Sequence, residues 1–246
     1  MKNNIKIAVI IPALNEEKTI GRVIDAVPSW VDRILVGNNG STDGTAQEAL
    51  KHGAVVVDEP FRGYGAACLT AVEALDSPGS PDAPGVVVFL DGDLSDDPKQ
   101  MDTLVEPILE RGFDLVIGSR VMGRCEPGAL TVTQRFGNWL SCRLTRLFFG
   151  VSYTDLGPFR AVRRSALDAL ELNNRAFGWT IQMQVRAARK GLSITEVPVD
   201  YRNRRGGDSK VSGTLRGVIG AGTTILYIIF AEAVDAQLER MREGFA

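Results

Sequence analysis

Asp91 and Asp93 stand two residues apart at the end of Gly85-Val-Val-Val-Phe-Leu-Asp-Gly-Asp93. The apolar run from Val86 to Leu90 predicts a buried strand, so the two carboxylates leave the core together at a cleft. Held close, they repel each other unless a cation neutralises them. Oxygen ligands suit Mg²⁺ or Mn²⁺, ions commonly shared with a substrate's phosphates. A three-residue acidic pattern is often only a turn. Its position after an apolar strand makes a metal-diphosphate site the stronger reading.

Three more loops are expected beside it. Pro12-Ala-Leu-Asn-Glu-Glu17 follows the first strand pattern, with Asn15 placed to cap a helix and Glu16 and Glu17 in its positive first turn. Gly37-Asn-Asn-Gly-Ser-Thr-Asp-Gly44 follows the second. Its amides and short polar side chains can hydrogen-bond a nucleobase or ribose. Arg62-Gly-Tyr-Gly-Ala-Ala67 precedes a helix, where glycines permit close approach of a phosphate or sugar and Arg62 supplies a counter-charge. Open α/β sheets bind ligands where such loops meet, at the C-terminal edge of the strands.

Alternating strand and helix signals must position these loops, and they predict a mostly parallel sheet covered by helices. Strands are expected at Ile5–Ile11, Ile34–Val36, Ala54–Asp58, Val86–Leu90, Leu115–Ile117, Phe159–Val162 and Ile194–Val199. Helices are expected from Asn15, over Thr45–Gly53, Tyr64–Leu75, Asp97–Gly112, Thr133–Phe149 and Trp179–Lys190, with an apolar C-terminal helix over Val218–Val234. Ser119–Thr131 reads as irregular. The division expected is a catalytic domain over residues 1–212 and a helical extension over 213–246.

The 246 residues carry 28 Lys and Arg against 30 Asp and Glu, a net charge of -2 with both signs interspersed. That balance gives no support for nucleic-acid binding. The single histidine, His52, excludes a His-based zinc site and makes a Ser-His-Asp triad improbable. Cys68, Cys125 and Cys142 lack Cys-x-x-Cys spacing and read as reduced thiols of a cytosolic protein. The N-terminus enters a strand pattern with no signal-peptide core.

In order, Pro12–Glu17, Asn39-Gly-Ser-Thr-Asp-Gly-Thr45, Arg62-Gly-Tyr-Gly65, Asp91-Gly-Asp93, Gly118-Ser-Arg120, Asp155-Leu-Gly-Pro-Phe-Arg160 and Arg205-Gly-Gly-Asp-Ser-Lys210 resemble family 2 glycosyltransferases of the GT-A fold. The likeness is to the polyprenyl-phosphate (dolichol-phosphate) mannosyl- and glucosyltransferase branch. The resemblance implies an inverting hexosyl transfer from a UDP- or GDP-hexose with Mg²⁺ or Mn²⁺. It places Asp91 and Asp93 at the metal, and Pro12, Asn15, Glu16, Asn39, Gly40 and Ser41 near the nucleoside. Arg62, Gly63 and Gly92 join the donor side. Arg205, Ser209 and Lys210 would close over the diphosphate, where cationic donors stabilise the leaving group.

The chain departs from the family pattern at three places. Asn38-Asn39 replaces Asp-Asp, Ser95 replaces a third metal-side residue of some relatives, and Gln182 lies where relatives tend to carry an acid. An alcohol acceptor needs a base; a phosphate acceptor, already anionic, does not. The missing acid therefore favours a lipid phosphate, held by Arg120 and Arg135. Asp155 is the fallback base, and Trp179 can stack on a sugar or belong to the core. The C-terminal apolar run is marginal for a span of about 20 residues. A peripheral place on the inner membrane face, self-association and packing back on its own domain are all open for it. A sugar-1-phosphate nucleotidyltransferase is disfavoured by the loop after strand one, and a non-catalytic nucleotide-sugar-binding protein is the further alternative.

Overall fold

A computed structural model describes residue 2, residues 4–206 and residues 215–243, the side chains of 215–219 and 221 excepted. Strands β1 (Ile7–Ala13), β2 (Arg33–Asn38), β3 (Val55–Asp58) and β4 (Val86–Phe89) run parallel. They are joined through helices α1 (Ile20–Ala26), α2 (Thr45–Lys51) and α3 (Tyr64–Glu73). After β4 come α4 (Met101–Arg111), β5 (Leu115–Ser119), α5 (Val132–Phe149), β6 (Arg160–Arg163), α6 (Arg164–Ala169), α7 (Trp179–Arg189), β7 (Ile194–Pro198) and α8 (Leu215–Glu243). Among the described residues the strands form one sheet in the order β3-β2-β1-β4-β6-β5-β7. β6 is antiparallel to both β4 and β5, between which it lies.

The period-2 alternation of a strand sorts its side chains onto two faces. Ile7, Val9 and Ile11 of β1 pack with α1 and α4, while Ala8 and Ile10 face α3 and α7. All five are buried, and each fully buried Val or Ile contributes roughly 1.5–3 kcal/mol of transfer free energy. The sheet is covered on both sides, so its strands read as continuous apolar runs.

The expected elements recur with three differences. First, no helix starts at Asn15. β1 continues to Ala13, and Asn15 takes a left-handed conformation (φ +55°), which asparagine tolerates better than most residues. α1 begins at Ile20 with no acidic residue in its first turn, because the amides of Thr19 and Ile20 bond the Glu16 carbonyl in a preceding turn. Second, α6 is a six-residue helix, too short to carry a helical period in the sequence. Third, α8 runs 29 residues, well beyond the apolar stretch. Its polar final turns carry Asp235, Glu239, Arg240 and Arg242. Ile228 and Ile229 bury against Ile181 and Val185 of α7, and Arg186 pairs with Glu232 at 2.6 Å. No described helix is long and apolar enough to cross a membrane. The three cysteines are unpaired thiols.

Candidate active site

The turn after β4 is built to aim carboxylates. Leu94 adopts φ +63°, a costly conformation for a side chain of its size, and this bends the chain so that the Ser95 amide donates to Asp93 Oδ1 at 2.8 Å. Tyr64 Oη donates to Asp91 Oδ1 at 3.2 Å. Burial, then the charge of Asp93, pushes the Asp91 carboxyl up to about 7. Asp96 is almost fully buried, and neither of its oxygens has a hydrogen-bond partner. Burial, followed by Asp91 and Asp93, drives its carboxyl well above the ordinary range.

Arg204 reaches into this cluster from the segment after β7. Its Nη1 lies 2.5 Å from Glu16 Oε1 and its Nη2 2.9 Å from Asp93 Oδ2. Burial raises the Glu16 carboxyl despite that contact. Among the described residues no three His, Cys, Asp or Glu side chains stand close enough to cage an ion. The arrangement fits a shared cation: two neighbouring carboxylates, with waters and substrate phosphates completing the shell. The unpartnered Asp96 oxygens are buried polar atoms beside this cluster that the protein itself leaves unsatisfied.

The donor-side loops are tied to one another. The Asn15 amide donates to Ser41 Oγ (3.0 Å), Asn15 Oδ1 accepts from Thr42 N (2.8 Å), and the Glu16 amide donates to Thr45 Oγ1 (2.8 Å). Pro12 pairs with Gly37 in the β1–β2 register, and Gly40 takes φ +67° in the turn beyond β2. The Asn38-Asn39 departure has a structural role. Asn38 Nδ2 donates to Asp58 (2.7 Å) and Asn39 Nδ2 to the Phe61 carbonyl (2.8 Å), bonds an ionised aspartate could not make. Gly92 is buried beneath Asp91 and Asp93, near Ile11 and Ile20.

Arg62 is exposed. The glycines beside it accommodate the chain's own backbone: a Cβ on Gly63 would come 2.0 Å from the Arg175 carbonyl oxygen, and one on Gly65 2.0 Å from that of Asn174. The first amides of α3 are also engaged, Gly65 N on Ala176 O and Ala66 N on Arg175 O. The close approach foreseen for a phosphate at Gly65 is therefore taken by residues 174–176.

On the other side of β4, Arg120 follows β5 and Asp155 precedes β6. Arg120 donates Nε to Asp155 Oδ2 (2.8 Å) and Nη2 to Oδ1 (2.7 Å), and its ring-facing side lies 5.0 Å from the Tyr201 centroid. Burial opposes the Arg120 charge, but Asp155 more than restores it. Asp155 has no exposed surface and both oxygens are engaged, which removes it as a free base. Trp179 is also fully buried, 4.6 Å from the Phe89 ring, so it presents no face to a sugar. Gln182 accepts from the amides of Asn173 and Asn174 and donates to Asn173 Oδ1, holding that loop shut.

Arg120 and Arg135 line a groove of about 950 Å³ between α5 and α8, walled by Phe136, Trp139, Ile225 and Leu226. Phe136 is 60% and Trp139 56% exposed. Arg205 points to Glu126 at 3.4 Å, away from the carboxylate pair. Ser209 and Lys210 lie outside the described residues.

A doubly wound sheet of this order, with a carboxylate pair at its C-terminal edge, has the GT-A architecture. The model of glycosyl transferase family 2 matches residues 8–171, and the chain belongs to that family. An uncharacterized glycosyltransferase of Mycobacterium tuberculosis is 39% identical over 215 residues, 87% of this chain and 93% of that one. The undecaprenyl-phosphate mannosyltransferase of Micrococcus luteus is 32% identical, with 87% and 90% covered. Among solved structures, glucosyl-3-phosphoglycerate synthase of Mycobacterium tuberculosis, in complex with Mn²⁺, UDP and glucosyl-3-phosphoglycerate, superposes with TM-score 0.73 at 26% identity, covering 93% and 80%. The chain is thus a glycosyltransferase, which sets aside nucleotidyl transfer and a purely binding role.

Two site residues escaped the sequence reading. Asp96 stands three positions after Asp93 and directly before the expected helix start at Asp97, and nothing local in the sequence marks it as buried. Arg204 sits in a basic run, Arg202-Asn-Arg-Arg205, in which nothing local distinguishes the arginine that turns inward.

Proposed function

We propose that this glycosyltransferase moves a hexose, with inversion, from a nucleoside diphosphate sugar to the phosphate of a polyprenyl lipid. The observation that carries the acceptor class is the α5–α8 groove, lined by two arginines, Arg120 and Arg135, and by apolar side chains, Phe136, Trp139, Ile225 and Leu226. A phosphate headgroup matches the first and an isoprenoid chain the second. A small acceptor such as phosphoglycerate has no use for the apolar walls.

Asp91 and Asp93 would hold Mg²⁺ or Mn²⁺, a reading supported by the synthase's being a complex with Mn²⁺. The cation supplies charge neutralisation for the departing diphosphate. Pro12, Asn15, Glu16, Asn39, Gly40 and Ser41 frame the nucleoside, with Arg62, Gly63 and Gly92 bordering it. Arg205, which now pairs with Glu126, is assigned to the diphosphate, as are Ser209 and Lys210, which lie outside the described residues. An acceptor phosphate oxygen forms the new bond to the anomeric carbon. The bond from that carbon to the diphosphate oxygen breaks, and its electron pair leaves with the nucleoside diphosphate. An ionised phosphate has no proton to lose, which accords with Asp155 locked on Arg120 and an amide at Gln182. The lipid would be met at the cytoplasmic face of a membrane, which α5 and α8 touch peripherally.

Incubation with UDP-glucose or GDP-mannose, Mn²⁺ and undecaprenyl phosphate tests this. The expected product is an extractable lipid hexosyl phosphate with stoichiometric release of nucleoside diphosphate. Transfer to 3-phosphoglycerate and none to the lipid would overturn the acceptor assignment.

A further inference from the structure

Arg204 occupies the position where a cation would be expected. One guanidinium nitrogen contacts Glu16 Oε1 at 2.5 Å and the other Asp93 Oδ2 at 2.9 Å. Asp93 Oδ1 is committed to the Ser95 amide, so Oδ2 is its available oxygen. The backbone holds the arginine there: Arg202 N donates to Ser95 O (2.8 Å) and Arg205 N to Asp93 O (3.3 Å), laying residues 202–205 along the acidic turn. Arg202 is further pinned to Asp97 at 2.6 Å.

We infer that Arg204 is a two-position residue: the internal counter-ion of Asp93 and Glu16 in the free enzyme, and a ligand of the donor's diphosphate once a divalent cation takes Asp93. This rests on the metal-dependent reading of the site given above. A metal ion bonds a carboxylate oxygen at about 2.0–2.2 Å, and Nη2 of Arg204 already uses the same oxygen. Two cations cannot share it without strong repulsion in a half-buried cluster. The guanidinium has to leave, and its side chain is 27% exposed, so a path to solvent is open. The diphosphate arriving with the metal is the nearest new anion, and its oxygens suit the planar fork of an arginine.

This exchange has a measurable signature. Metal alone must displace Arg204 and binds weakly. Metal with a nucleoside diphosphate gives the arginine a new partner and binds tightly. Arg204 therefore opposes the first event and favours the second, coupling the two.

Mn²⁺ titration of the full chain, followed by electron paramagnetic resonance with and without UDP or GDP, tests it. Arg204→Gln should bind Mn²⁺ alone at least about fivefold tighter than wild type, the lower end of the usual coupling between two binding events. The gain in Mn²⁺ affinity conferred by the nucleotide should shrink by a similar factor. Arg204→Lys, which keeps the charge but cannot bridge two carboxylates, should fall between. Circular dichroism establishes that each variant is folded, and the lysine variant decides the matter if the glutamine variant is not. Unchanged or weaker Mn²⁺ binding in Arg204→Gln overturns the exchange. Undiminished Mn²⁺ binding in Asp93→Asn would instead overturn the underlying metal site, so the two failures are distinguishable.

Discussion

Asp155 holds Arg120 through three hydrogen bonds: the Arg120 amide and Nε reach Oδ2 at 2.8 Å, and Nη2 reaches Oδ1 at 2.7 Å. Asp155 is fully buried, and the Arg120 side chain is nearly so. The amides of Thr154 and Asp155 are in turn fixed by Glu196. The carboxylate thus orients an arginine and is not free to take a proton.

Asp155→Ala should therefore act first on stability. It leaves a buried guanidinium without its counter-charge, a change that typically costs about 3–5 kcal/mol. Urea unfolding checks this. A variant as stable as wild type but inactive would restore Asp155 as a candidate base.

Asp91 makes the metal-free protein sensitive to pH. Its folded value, about 7, lies above the ordinary 3.8, so the ionised form is the one the fold disfavours. The corresponding stability is fully present below about pH 3.8 and is lost as pH rises through 7. Asp91→Asn should melt higher than wild type at pH 8 without metal, with the gap closing toward pH 4. Mn²⁺ should raise the wild-type melting temperature more than that of the variant. A lower melting temperature for the metal-free variant at pH 8 would refute this account.

His52 joins α1 to α2. Its Nδ1 lies 2.7 Å from Asp25 and its Nε2 3.1 Å from Glu48. The Asp25 hydrogen bond leads in raising its pKa above 6.5, with Glu48 adding to it against partial burial. The staple is complete below pH 6.5 and is lost as pH climbs through the folded value. The lone imidazole gives an unambiguous proton NMR titration, and Asp25→Asn should move its midpoint down. A midpoint below 6.5 in the wild type would contradict the contact.

Phe136 and Trp139 offer a direct test of the acceptor site proposed for the α5–α8 groove. Their rings lie 5.8 Å apart on the exposed face of α5. Replacing both by Ser should leave stability within about 0.5 kcal/mol, as for most surface changes. Turnover with a polyprenyl phosphate should fall at least tenfold while Mn²⁺ and nucleotide binding are retained. Unaltered lipid turnover would place the acceptor elsewhere.

Gly65→Ala should be harmful for a reason unrelated to phosphate. The new Cβ would lie 2.0 Å from the Asn174 carbonyl oxygen and 2.9 Å from Trp179 Cβ. Overpacking of this kind costs about 1–3 kcal/mol, and calorimetry would register it.

The strands were legible because each is a short apolar run bounded by turn residues, and Val86–Phe89 delivers Asp91 and Asp93 where that pattern implies. Loop chemistry was less legible because it depends on partners distant in sequence. Asn15 has the composition of a helix cap, yet its side chain serves Thr42 across the neighbouring loop. Trp179 at a helix start carries no local mark of the Phe89 ring beneath it. Arg204 and Arg205 are adjacent and chemically identical; only the path of residues 202–205 over the acidic turn separates the one on Asp93 from the one on Glu126. The Asn38-Asn39 change, a bare departure from the family pattern in the sequence, serves to knit the β2 and β3 loops together.

The reversed strand β6 has one more consequence. It keeps β4 and β5 from pairing, so Asp91 and Arg120 emerge on opposite banks of a seam, and residues 201–205 are the strap across it, with Tyr201 against Arg120 and Arg204 on Asp93. A fold divided in this way can acquire a new recipient for its sugar while its grip on the activated precursor stays as it was.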